Sequence, residues 1–178
     1  MKLSLKNESG FTLVETIVAV MLFTLLWGAC VLIYISGSDS WQTNSVRLEL
    51  HQEVRRAIAR VTEDIRESGT GSITDVPADG NWYDTITFRK ASSVSSGNIV
   101  WAANTTSYYV GGAGLDQLIE QTGVSTTGVA ALDITSVQFR RQSATADIVE
   151  VNMVASKDTF RGRNLSVTVN FDIQLRNG

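Results

Sequence analysis

The 178 residues hold one cysteine, one histidine and one proline. A single Cys excludes an intramolecular disulfide, and one Cys with one His cannot complete a Cys/His zinc site. The lone proline, Pro77, leaves long uninterrupted elements possible elsewhere. Charge is also scarce: 19% of residues are charged, the net charge is -3 and the pI is about 5.1. A mildly acidic chain is poorly suited to hold nucleic acid by bulk electrostatics. The 43% hydrophobic content excludes a disordered chain, and the length fits one domain with little to spare. Fourteen glycines, with many Ser and Thr, point to a β-rich or loop-rich portion.

What is present is unevenly placed. No charged side chain occurs from Thr16 to Ser38, and Ile17 to Ile35 is almost wholly apolar. With Phe11 to Val14 in front, the block reaches about 25 residues, where ~20 helical residues cross a bilayer's hydrocarbon core. A core helix of a small soluble domain would carry a polar stripe, and this block carries none. A Sec-type signal peptide has its small-residue cleavage site after the apolar stretch, whereas here the short basic, polar leader, Met1 to Gly10, ends in glycine before the apolar block begins. Leu26 to Cys30 faintly resembles a lipoprotein box. Trp27 stands where an aliphatic residue is usual, however, and the apolar run continues for residues past Cys30, so Cys30 reads as a small apolar residue of the membrane helix.

Glu15 interrupts the apolar pattern. A carboxylate deep in a bilayer costs ~2.5–3.5 kcal/mol on insertion scales, less near the headgroups. Either Glu15 lies shallow enough to reach water, or it meets a cation. If the chain is cut after Gly10, the new amine of Phe11 lies about one helical turn away. A cation there is unfavourable beside the helix dipole, and the carboxylate offsets it, in the same chain or in a neighbour.

The stretch Gly10-Phe11-Thr12-Leu13-Val14-Glu15, behind a short basic leader and ahead of an apolar helix, resembles the type IV prepilin signature, the class III signal of pilins and of type II secretion pseudopilins. The resemblance implies that prepilin peptidase cuts between Gly10 and Phe11 on the cytoplasmic side and that Phe11 is then N-methylated. It implies that Glu15 pairs with the Phe11 amine of an adjacent subunit during filament assembly. It also implies a single pass of the bacterial inner membrane, with the N-terminus cytoplasmic and the C-terminal domain extracytoplasmic. Lys2 and Lys6 before the block, against Asp39 and then Arg47 after it, agree weakly with that orientation.

Beyond Ser36 to Ser40, which could bend the helix or mark its exit from the bilayer, the period becomes helical. Val46, Leu50, Val54, Ala57, Ile58, Val61 and Ile65 recur at spacings of three and four. The opposite face carries Arg47, Gln52, Glu53, Arg56, Arg60, Glu63, Asp64 and Glu67, with Arg60 and Asp64 as an i,i+4 pair. Ser68-Gly69-Thr70-Gly71 predicts a glycine-type helix end. His51 has no nucleophile or second ligand in register and reads as a surface residue.

From Ile73 the texture is β. Thr85 to Arg89, Asn98 to Ala103, Ser107 to Val110 and Val149 to Ala155 alternate or form β-branched runs. Leu115 to Gln121 fits a strand or a short helix. Leu132, Ile134, Val137 and Phe139 predict one strand with a bulge. Leu165 to Leu175 gives the clearest alternation, with Lys157 to Arg163 as the hairpin loop before it, while 92–97 and 122–128 read as loops. An amphipathic helix and a half-buried antiparallel sheet each need an apolar surface. The expected fold is therefore α+β: a leader at 1–10, a membrane helix at 11–38, and a globular unit at 39–178 with helix 41–68 packed on a β-rich 73–178. The pilin-like family has that shape.

Leu48 to Ala57 and Arg60 to Arg66 are similar to the helix of J-type minor pseudopilins and W-type minor pilins, and Leu175-Arg176-Asn177 to their last strand. That resemblance implies a low-copy subunit at or near the filament tip that primes assembly. Its implied partners are other pilins or pseudopilins through the N-terminal helix, prepilin peptidase, the inner-membrane assembly platform, and membrane lipid before assembly. No enzymatic activity, cofactor or metal is expected. Asp75 to Asp84 has oxygen ligands around a turn but not the spacing of an EF-hand loop, and reads as an ordinary turn. Gly111-Gly112-Ala113-Gly114 lacks the Lys and Ser/Thr of a phosphate loop. Arg140, Arg141, Arg161 and Arg163 could form a small basic patch, and the competing reading is a filament-borne binding module, an adhesin or DNA-uptake receptor. Nucleic acid is not the expected partner given the negative net charge. A membrane-tethered enzyme would need converging titratable groups, and no motif supplies them.

Overall fold

The computed structural model describes residues 12–124 and 126–176; the side chains of Thr126 and Thr127 are outside that description. Helix α1 spans Leu13–Arg66. It runs unbroken through Ser36 to Ser40, where the Ser40 hydroxyl donates to the Ser36 carbonyl at 3.1 Å. The chain divides into two compact units, Met1–Thr43 and Asn44–Gly178.

The described part of the first unit is helix. Its apolar side chains are bare: Leu13, Met21, Leu26, Leu32 and Tyr34 are all exposed. Thr24, a polar residue within the run, donates its hydroxyl to the Met21 carbonyl at 2.8 Å, so it presents no unpaired donor to an apolar surrounding.

In the second unit, the helical stripe read from spacing is the core stripe. Leu50, Val54, Ala57, Val61 and Ile65 are buried, and Val46 and Ile58 pack at its margin. The helix end differs from the glycine cap expected. Gly69 sits at φ -129°, in extended backbone. The last carbonyls are closed instead by tight turns, Glu67 N to Asp64 O and Ser68 N to Ile65 O, and by the Ser68 hydroxyl on Ile65 O at 2.7 Å. A single 3-10 turn, Thr70–Ser72, follows.

Among the described residues, nine strands form three sheets rather than the one sheet expected. Strands β1 (Thr85–Phe88), β4 (Thr106–Gly111), β5 (Gln117–Thr122) and β6 (Thr126–Leu132) pair in the order β1-β4-β5-β6. Strands β2 (Ala91–Ser95) and β3 (Asn98–Trp101) form a hairpin. Strands β7 (Ile134–Gln142), β8 (Thr145–Asp158) and β9 (Asn164–Gln174) form the third sheet, with β8 central. All pairings are antiparallel.

Several local readings change. The stretch 92–97 is largely strand β2 with the Ser96-Gly97 turn, and 126–128 belongs to β6. Leu132 and Ile134 lie on different strands, split by Asp133 at φ +58°. The bulge expected nearby is present on β7, between Ile134 and Ser136. Leu118 and Ile119 are both buried although adjacent, because the β5–β6 register shifts between them. A two-residue period fails across such a bulge, which is why that segment read ambiguously.

The core gathers Phe88 and Tyr108 from the first sheet, Ile134, Val137 and Phe139 from β7, and Val149, Val151, Met153 and Ala155 from β8, over the α1 stripe. The Phe88 and Tyr108 rings stack with centroids 6.3 Å apart. On β9 the expected alternation holds, but Leu165, Val167, Val169 and Phe171 are only half-buried at the sheet edge, and Ile173 and Leu175 are buried.

Candidate functional site

The site singled out by sequence lies at the start of α1. Gly10 and Phe11 lie outside the described residues, so the geometry begins at Thr12. Thr12 is the residue before the first helical position, and Glu15 is the third within it. The Thr12 hydroxyl accepts from the Glu15 N–H at 3.3 Å. In return, Glu15 Oε2 accepts from the Thr12 N–H at 2.9 Å and from the Thr12 hydroxyl at 3.0 Å. This is a capping box: each residue satisfies a backbone donor that the helix start would leave unpaired. The Thr16 hydroxyl and N–H both reach the Thr12 carbonyl, at 3.3 and 3.2 Å.

The box makes Glu15 part of the helix's own architecture. Its carboxylate sits at the positive end of the helix dipole, where negative charge is favoured. An ionised carboxylate offers about four lone-pair positions, and Thr12 occupies Oε2 alone, so capacity for a cation remains. The sequence reading missed Thr12. The Thr-x-x-Glu spacing ahead of an apolar run was the signal that could have found it. Around the box the helix surface is apolar and exposed, and α1 is long and apolar enough to cross a membrane. Phe23 and Trp27 stack along it at 6.4 Å, and Cys30 is exposed on the same helix.

Several titratable groups of the second unit fasten α1 to the strands. Asp64, expected on the wet face in a pair with Arg60, is instead buried. It accepts from the Tyr108 phenol at 2.7 Å and pairs with Lys90 Nζ at 2.7 Å. Burial first, and then the Asp64 carboxylate, push the Tyr108 phenol well above its ordinary range. Arg60 turns to Glu120, donating from Nε at 2.9 Å and from Nη2 at 3.1 Å, and the pair raises the arginine's pKa. Glu53 accepts from the Leu132 N–H at 3.0 Å. Lys157 bridges Asp133 at 3.0 Å and Glu49 at 3.1 Å, and those bonds hold its pKa above the usual value. His51 is exposed.

The other candidates resolve as structural. Asp79 accepts from Asn81 N and Nδ2 at 2.9 Å and from the Tyr83 phenol at 2.6 Å, so the Asp75–Asp84 turn is closed by its own side chains. The Tyr83 phenol, then the Asn81 N–H, hold the Asp79 carboxyl below its ordinary range. Among the described residues, no three His, Cys, Asp or Glu are placed to hold a metal ion together. The four arginines do not form one patch. Arg141 is buried and donates to the carbonyls of Thr70, Val76 and Ala146. Arg140 pairs with Glu150 and lies 4.4 Å over the Trp82 ring. Arg161 and Arg163 stand at the other end of β8. Gly112, at φ +87°, turns the chain between β4 and β5 against the Gln117 side chain.

Comparison with known families agrees with the geometry at the helix start. Residues 5–29 match the model of the prokaryotic N-terminal methylation motif. The match spans Gly10, Phe11, the Thr12–Glu15 box and the first half of the apolar run. It is the signal of type IV pilin-type and pseudopilin-type precursors, the class processed by prepilin peptidase. No curated protein matches the chain.

Proposed function

We propose that this chain, a precursor carrying the type IV pilin-type methylation signal, is a minor, low-copy subunit of a type IV pilus or type II secretion pseudopilus. It inserts as a single-pass protein with its N-terminus cytoplasmic. It is cut between Gly10 and Phe11, methylated on Phe11, and moved into the filament, where helix 11–35 exchanges lipid for the apolar helices of neighbouring subunits. The observation that carries this reading is a capped carboxylate, Glu15, at the head of an uncovered apolar helix within the matched motif.

The physical role of Glu15 follows from its cost in an apolar setting. Thr12 offsets part of that cost within the chain. A full offset needs a cation, and the amine created by cleavage is the one cation that processing itself supplies. Pairing with that amine on an adjacent subunit favours one axial register over others, because slipping the helices leaves a carboxylate unpaired in an apolar surrounding. The role is structural and non-enzymatic. The tip-priming position rests on the similarity of Leu48 to Arg66 to J-type and W-type helices, and on a single Cys that cannot close the C-terminal disulfide loop of many major pilins.

Intact-mass analysis of the protein from cells with active prepilin peptidase tests this. The expected mass lacks residues 1–10 and carries one added methyl group. A full-length mass from such cells would overturn the reading.

A further inference from the structure

Two side chains with polar tips bracket the apolar stretch of α1 within the first unit. Glu15 stands at its start and Tyr34 near its end, and no charged residue lies between them. The helix is unbroken over this stretch, so its rise from Glu15 to Tyr34 is about 29 Å. The hydrocarbon core of a bilayer is ~30 Å thick. Helical side chains lean toward the N-terminus, as the Glu15 carboxylate does onto Thr12, so the separation of the two polar tips stays near that rise.

The hydroxyls inside the brackets are already satisfied. Thr16 and Thr24 donate to the Thr12 and Met21 carbonyls, so neither brings a loose donor into hydrocarbon. Tyr34 differs: it is exposed, and its phenol has no hydrogen-bond partner among the described residues. A phenol with an apolar body and an unpaired polar tip suits the headgroup layer. The apolar run ends one residue later, at Ile35. Trp41, 75% exposed, follows about 10 Å further along the helix. Its ring leans back toward Tyr34, into or beside a headgroup layer ~5–7 Å deep.

We infer that in the bilayer α1 stands with Tyr34 in the headgroup layer of one leaflet and Glu15 in that of the other, each polar tip meeting lipid headgroups and water. The inference rests on the membrane-anchored precursor reading. Trp27 offers the rival frame, with its own ring at the outer boundary. That frame sinks Glu15 about 10 Å into hydrocarbon and draws Val31, Leu32, Ile33 and Ile35 out of it, so carboxylate desolvation and lost apolar burial both oppose it. In the Glu15–Tyr34 frame Trp27 lies within hydrocarbon, stacked on Phe23, at the smaller cost of one indole N–H without a partner. The Glu15 carboxylate is then hydrated in the membrane-bound chain. It loses water only when the helix leaves lipid, and pairing with the processed amine is needed at that step and not before.

The full chain, in a Cys30→Ala background, is reconstituted into phosphatidylcholine vesicles. A fluorophore is placed, one site at a time, at Val18→Cys, Leu22→Cys, Leu25→Cys or Gly28→Cys, and lipids with a nitroxide deep in the acyl chain serve as quenchers. Leu25 lies midway between the brackets, so quenching should peak there. Glu15→Leu removes one bracket and should move the peak to Leu22. Tyr34→Leu with Trp41→Leu removes the other and should move it to Gly28. A peak at Val18 in the otherwise unaltered helix is the Trp27 frame and overturns this inference alone. A peak that stays at Leu25 in either bracket variant also overturns it, because hydrophobic length alone would then set the depth. No deep quenching at any of the four sites overturns the anchoring reading and this inference with it.

Discussion

Tyr108 on β4 donates its phenol to the Asp64 carboxylate on α1 at 2.7 Å, deep in the boundary between helix and sheet. Lys90 closes the other oxygen of the same carboxylate. One buried acidic group thus ties the last turns of the helix to two other segments. Removing it leaves an ammonium without its counter-charge and a buried phenol without its acceptor. Asp64→Ala is expected to destabilise the second unit by about 3 kcal/mol or more, and Tyr108→Phe by about 1–2 kcal/mol. Denaturant melts of the full chain in detergent check both.

The same pair sets an alkaline limit. The Tyr108 pKa is raised in the folded state, so the folded chain binds that proton more tightly than the unfolded chain does. The contribution is fully present below about pH 10, the ordinary tyrosine value, and is lost as pH rises above it. Unfolding midpoints measured from pH 8 to 11 should fall, and the fall should be shallower in Tyr108→Phe.

At the acid end the sign reverses. Glu150 accepts from Arg140, which holds its carboxyl below the ordinary range, with Gln142 adding to the effect. Its contribution is present above about pH 4.3 and lost as pH falls through the lowered folded value. Glu150→Gln should therefore be less stable than wild type near pH 6 and should lose less stability between pH 5 and pH 3. Parallel slopes for the two proteins over that range would contradict the assignment.

Glu15→Ala removes half of the capping box and the proposed partner of the Phe11 amine. Insertion and cleavage should be retained, with the processed band unchanged on a gel, while the fraction recovered in sheared filaments falls at least about tenfold, the equivalent of ~1.4 kcal/mol. Thr12→Ala removes only the intrachain half. It should give a smaller loss, since a cap side chain contributes about 1 kcal/mol.

Gly10→Leu should block processing. A band that still shifts to the mature size would show that the cut lies elsewhere.

The helical stripe Leu50 to Ile65 and the core strand Val149 to Ala155 were legible in sequence because burial on one face imprints a period. Strand β2 was not. Ser92 to Ser95 are all exposed, so there is no buried face to leave a pattern, and Ser-rich composition then reads as loop. Strand β6 was hidden by Thr126-Thr127-Gly128, turn-forming residues held in place by cross-strand pairing. Asp64 was misplaced for a different reason. A charged helical residue reads as solvent-facing unless its partners are known, and Lys90 and Tyr108 are distant in sequence. At the helix start, Gly10, Phe11 and Glu15 stand together in the chain as one motif, whereas the Thr12–Glu15 cap went unread although its spacing is a local signal.

The Arg141 guanidinium holds the carbonyls of Thr70 and Val76, on a stretch with little regular structure of its own. Its hold reaches back across 65 and 71 residues. A ribosome delivers the helix and this stretch long before it delivers the arginine that closes them. The connector therefore gains this clasp only after synthesis has reached Arg141, well after the helix and the stretch that the arginine holds have been made.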